Sequence, residues 1–90
     1  MSSAPPPASH APLDFVEGQL LVKFRAGVTQ ERIDLVIGAE GATIGRRLAG
    51  GSLLLLLLPS DLPVPEAVRR FQSHMEVEYA EPDYKAKLLE

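Results

Sequence analysis

From Gln19 to Arg25 (QLLVKFR) apolar side chains recur at every second position, with Leu20, Val22 and Phe24 set against Leu21, Lys23 and Arg25. That period predicts a strand with one apolar side and one mixed side. After Ala26-Gly27 the period lengthens. Ile33, Val36 and Ile37 fall on one helical stripe, Thr29 stands where an N-cap belongs, and Glu31 and Asp34 lie near the positive end of the dipole. Gly38 and Gly41 are expected to end this helix. Ala42 to Leu48 (ATIGRRL) predicts a second strand, weakened by Gly45, and Ala49-Gly50-Gly51-Ser52 is a turn that leads into a hairpin partner.

The partner is an unbroken run of leucines, Leu53 to Leu58, held between Gly50-Gly51-Ser52 and Pro59. About six residues make under two helical turns, and breakers flank both ends, so a strand is expected. As a strand it puts Leu53, Leu55 and Leu57 on one face and Leu54, Leu56 and Leu58 on the other, and both faces then need cover. The run is far short of the roughly 20 apolar residues that cross a bilayer.

Pro59 to Pro63 reads as a loop, and Pro65 suits the first turn of a short helix to Ser73 with Val64, Ala67, Val68 and Phe71 on one face. Glu76 to Ala80 (EVEYA) alternates again, Val77 and Tyr79 against Glu76 and Glu78. The order is therefore βαββαβ. Right-handed crossovers turn it into an α+β, ferredoxin-like fold: a four-stranded antiparallel sheet with two helices on one face. The opposite face stays bare over roughly 300 to 400 Å², the size at which an apolar patch on a monomer starts to signify a binding surface. Its apolar centre is the leucine strand, with Leu21 beside it, and the sequence does not say which leucine face is the open one.

A chain of 90 residues with a proline-rich start has room for a single core. The division expected is a solvated leader over 1–15, a domain over 16–80 and an extended tail over 81–90. Met1 to Leu13 lacks the basic start and apolar block of a signal peptide, so an exported product would have its signal elsewhere. The net charge of -3 argues against a sequence-independent hold on nucleic acid or anionic membranes. Without cysteine there are no disulfides, thiolate metal sites or cysteine nucleophiles.

Candidate chemistry within the chain is thin. His10 in the leader and His74 in a loop have no third ligand at helical or hairpin spacing, and Ser73 is adjacent to His74 in sequence instead of facing it. No catalysis, metal or cofactor is expected. Gly38, Gly41 and Gly45 follow a helix and lead into a strand, the reverse of a phosphate-cradling loop. Arg46-Arg47 and Arg69-Arg70 hint at RNA, but RNA-recognition sheets stack bases on central aromatics and here a central strand is all leucine.

GQLLVKFRAG near the start, the glycine-containing segment after the first helix, and VEYAEPDY near the end together resemble the propeptide (prodomain) of subtilisin-like serine proteases, the subtilases. The likeness spans about Val16 to Leu89 with the spacing of the elements kept; Ser73-His74-Met75 stands where the family has Pro-Gly before the last strand. The resemblance implies a non-catalytic domain that assists folding of a subtilase and then inhibits it. Its partner would be the cognate catalytic domain, and the precursor would be secreted. It also implies that the bare sheet face, carrying one of the two alternate sets from Leu53, Leu54, Leu55, Leu56, Leu57 and Leu58, packs on two surface helices of the protease. Glu81 and Asp83, just after the last strand, would then sit at the N-termini of those helices. The tail, Tyr84, Ala86, Lys87, Leu88 and Leu89, would lie substrate-like in the active-site cleft, Ala86 at P4 and Leu89 or the neighbouring Leu88 at P1, since a terminal Leu-Glu can be a cloning remnant.

Two other readings share much of this pattern. A free-standing subtilisin-type inhibitor has the same fold and tail mechanism. A ferredoxin-like ligand-sensing module dimerises through its sheet and has a dispensable tail. In isolation the domain is expected to be a monomer or to self-associate through the bare face.

Overall fold

A computed structural model of the chain describes residues 15–84. The elements are β1 (Phe15–Phe24), α1 (Gln30–Ala39), β2 (Thr43–Leu48), β3 (Leu53–Leu57), α2 (Val64–Gln72) and β4 (Val77–Tyr84). The strands form one sheet in the order β2-β3-β1-β4, every pairing antiparallel. This is the expected ferredoxin-like arrangement. Residues 1–14 of the predicted leader and the tail positions Ala86, Lys87, Leu88 and Leu89 lie outside the described residues, while Phe15, expected to close the leader, opens β1.

Local chemistry accounts for the helix ends. The Arg32 N–H donates to Thr29 Oγ1 at 3.2 Å, and Glu31 adds an acidic group to the first turn of α1. Gly38 was expected to end α1 but lies inside it; the chain turns at Glu40 and Gly41, whose N–H groups reach back to Ile37 and Gly38 carbonyls. Pro65 sits in the first turn of α2, where its missing N–H has no helical partner to lose. Before β4 the turn closes without Pro-Gly: the Val77 N–H donates to the His74 carbonyl at 3.1 Å, and Arg25 Nε donates to the Met75 carbonyl at 2.9 Å.

Between β2 and β3 the chain reverses through Ala49, Gly50 and Gly51, all at positive φ (48°, 70° and 99°), a conformation that glycine adopts without steric cost. Gly45 serves differently. The β2 register slips between Ile44 and Arg46, and a Cβ at Gly45 would stand 3.1 Å from Leu57 Cγ and 3.3 Å from the Leu55 carbonyl oxygen. The bulge thus lets β2 lie close against β3.

The core is a single layer between one sheet face and the two helices. Leu20, Val22 and Phe24 of β1, Leu54 and Leu56 of β3, and Val77 and Ala80 of β4 meet Ile33, Val36 and Ile37 of α1 and Val64, Ala67 and Phe71 of α2. Among the described residues no polar or charged side chain is buried. Arg32 of α1 reaches Glu76, beside the start of β4, at 2.5 Å. At the far ends of the helices Glu40 accepts from His74 Nε2 at 2.8 Å and lies 3.6 Å from Arg70 Nη1.

The leucine run divides in two. Leu54 is paired with Val22 and Leu56 with Leu20, so both face the helices and are wholly buried. Leu58 follows β3 and packs, partly buried, against the same core. Of the six leucines offered as sheet-face contacts, Leu53, Leu55 and Leu57 are the set on the open face, and alternation sends Leu54, Leu56 and Leu58 toward the helix layer.

Candidate functional site

The pairing register lays out the uncovered face as rows that run across the strands, since residues paired in a sheet point to the same side. The middle row reads Arg46, Leu55, Leu21, Glu81 from β2 to β4. One neighbouring row reads Leu48, Leu53, Lys23, Tyr79, and the other Thr43, Leu57, Gln19. Leu57 is 42% exposed and Tyr79 37%, while Leu21, Leu53 and Leu55 are half-buried with neither helix over them. The result is an apolar centre with charges at its margins.

Those charges are sorted by side. Arg46 stands at the β2 margin, whereas Arg47, one residue on, belongs to the helix side, where its Nη1 donates to Gln30 Oε1 at 3.4 Å. Lys23 Nζ lies 3.7 Å from Glu78 Oε1 and leans toward the β4 margin. Among the described residues neither Arg46 nor Glu81 takes part in an ion pair.

The end of β4 differs from expectation. The last strand was predicted to stop at Ala80, with Glu81 and Asp83 beyond it, but β4 continues to Tyr84 because β1 begins at Phe15 and gives it a partner. Leu20 pairs with Pro82, Leu21 with Glu81 and Phe15 with Tyr84. An outer strand accommodates Pro82, whose missing N–H can face away from β1. Glu81 is on the open face and Asp83 follows it there by alternation, two carboxylates about 7 Å apart along the strand. Neither accepts a hydrogen bond within the described residues.

Six members of the face, Leu48, Lys23, Arg46, Tyr79, Thr43 and Gln19, were not among the expected contacts. A hairpin turn at Gly50-Gly51 is enough to set Leu48 opposite Leu53, so Leu48 was open to inference. Arg46 was not, because the bulge at Gly45 decides which of the two arginines faces out.

The remaining polar groups hold the helices in place. Glu66 takes Arg70 Nε at 3.2 Å and Arg69 Nη2 at 2.6 Å, and these guanidinium contacts hold its carboxyl below the ordinary range. Hydrogen bonding from Arg32 does the same for Glu76. Ser73 Oγ donates to the Arg70 carbonyl at 2.6 Å, a capping bond that leaves it turned from His74 chemistry. Among the described residues no three His, Asp or Glu side chains converge as a metal site, and no helix is long and apolar enough to cross a membrane.

Compared with known proteins, residues 2–83 match the model of one family, the fervidolysin N-terminal prodomain. No individual curated protein matches the chain.

Proposed function

Because the chain belongs to the fervidolysin N-terminal prodomain family, propeptides of subtilisin-like proteases, we propose that it assists the folding of a secreted subtilase catalytic domain and then holds it inhibited. The observation that carries this reading is the uncovered apolar face closed at its β4 end by Glu81 and Asp83, two carboxylates without a partner among the described residues. A surface that presents two helix N-termini beside an apolar patch supplies what both features lack. Each carboxylate beside free helix N–H groups gains about 0.3 to 1 kcal/mol, up to about 2 when partly buried. The residues after β4 then continue in extended form into the active-site cleft, pairing backbone with its edges, with Ala86 assigned to P4 and Leu89 or Leu88 to P1.

Inhibition of a mature subtilisin tests this directly. The full chain is expected to inhibit, and a chain ending at Tyr84, which keeps β4 whole, to lose most of its potency. Equal potency would take the tail out of the mechanism. Replacing both Glu81 and Asp83 by alanine is expected to raise the inhibition constant at least about threefold, from two contacts of that strength. A change below twofold would leave the carboxylates as ordinary surface acids.

A further inference from the structure

The open face carries its charges in a form that suits a second copy of itself. In the middle row a cation, Arg46, and an anion, Glu81, stand at opposite ends with Leu55 and Leu21 between them. Three strand spacings separate the two charges by about 14 Å, beyond the Debye length of about 10 Å at 0.1 M salt, so they do not neutralise one another within a chain. We propose that the free domain forms a two-fold symmetric dimer through this face, with the axis parallel to the strands.

That axis exchanges the β2 and β4 margins. It sets Arg46 of each copy over Glu81 of the other and Leu55 over Leu21, and in the adjoining row it sets Leu48 over Tyr79 and Leu53 over the aliphatic stem of Lys23, whose ammonium keeps its own Glu78. An axis across the strands would instead put Arg46 over Arg46, so the charges choose between the two ways of stacking the sheets. Strand directions stay aligned, as in face-to-face sheet packing. With roughly 300 to 400 Å² of sheet from each copy the interface falls below the size of stable complexes, which makes the dimer concentration-dependent. It occupies the face assigned above to the protease, so dimer and protease complex exclude one another, but the dimer requires no protease.

Sedimentation equilibrium of the 90-residue chain from about 10 μM to about 1 mM, in about 50 mM salt where surface charges are least screened, tests the proposal. The wild type is expected to shift from monomer to dimer and to stop there. Arg46→Glu and Glu81→Arg are each expected to weaken association at least tenfold, because each places two like-charge pairs across the interface. The double variant Arg46→Glu/Glu81→Arg restores association to within about threefold of wild type, since the pairs re-form with signs exchanged. Arg47→Glu, on the helix side, leaves it unchanged. Circular dichroism melting of each variant separates lost association from lost fold. A wild-type chain still monomeric at about 1 mM overturns the proposal and leaves the face to another protein or to residues 85–90. Folded single variants that associate like wild type, or a double variant no better than the singles, overturn it equally.

Discussion

Leu54 and Leu55 are the same side chain on adjacent residues, and the sheet assigns them opposite tasks. Leu54 is wholly buried against Val22 and the helix layer, whereas Leu55 lies beside Leu21 on the face that neither helix covers. An aspartate at Leu54 puts an unpaired carboxylate into a core in which, among the described residues, no polar side chain is buried, a cost of several kcal/mol against a total stability of about 5 kcal/mol for a domain this small. Leu54→Asp is therefore expected to be unfolded at 25 °C. Leu55→Asp is expected to melt within a few degrees of wild type while inhibition of subtilisin weakens at least tenfold. Melting curves alongside inhibition assays check the pair, and equal loss of folding in both would contradict the assignment of faces.

At the scale of elements, α1 is tied to the start of β4 by Arg32 and Glu76 across 44 positions of sequence. The Arg32 hydrogen bond holds the Glu76 carboxyl below its ordinary value of 4.5 in the folded protein. A carboxyl depressed by folding contributes stability that is present above its unfolded value and is lost as pH falls through the folded one. The melting temperature is thus expected to decline as pH drops below about 4.5, and Arg32→Met should flatten that acid slope while lowering the melting temperature at neutral pH. Parallel acid slopes in the two proteins would show that the pair is not what senses the pH.

Much at this scale could be read from sequence. The change of period from two to about 3.6 residues located both helices, the stop at Pro59 bounded the leucine strand, and Thr29 marked a cap, because each is a local signal. What escaped was set by neighbours across the sheet. The continuation of β4 through Pro82 depends on β1 starting at Phe15, and the outward position of Arg46 depends on a bulge at Gly45. Nor does a run of identical leucines contain anything to distinguish its two faces. Only the pairing of Leu54 with Val22 and Leu56 with Leu20 decides that.

At the scale of the whole molecule, the described residues form one sheet and one helix layer, with the apolar core between them. Such a protein has little stability to spare, and a ligand that binds only the folded form adds RT ln(1 + [L]/Kd), about 2.7 kcal/mol at a hundredfold excess over Kd. Titration with a subtilisin whose active-site serine has been replaced is expected to raise the propeptide's melting temperature progressively with protease concentration. A melting temperature that stays constant while binding is saturated by an independent measure would uncouple folding from docking.

Pro82 has a consequence of another kind. It breaks the line of backbone donors along one outer strand, just as the kink at Gly45 and the arginines beside it spoil the other, and so neither rim of the sheet offers a straight template for an incoming strand. Fibril growth is refused sideways while the oily flat stays available from above. Strand-by-strand growth of surplus domain in a crowded solution is therefore disfavoured at both edges.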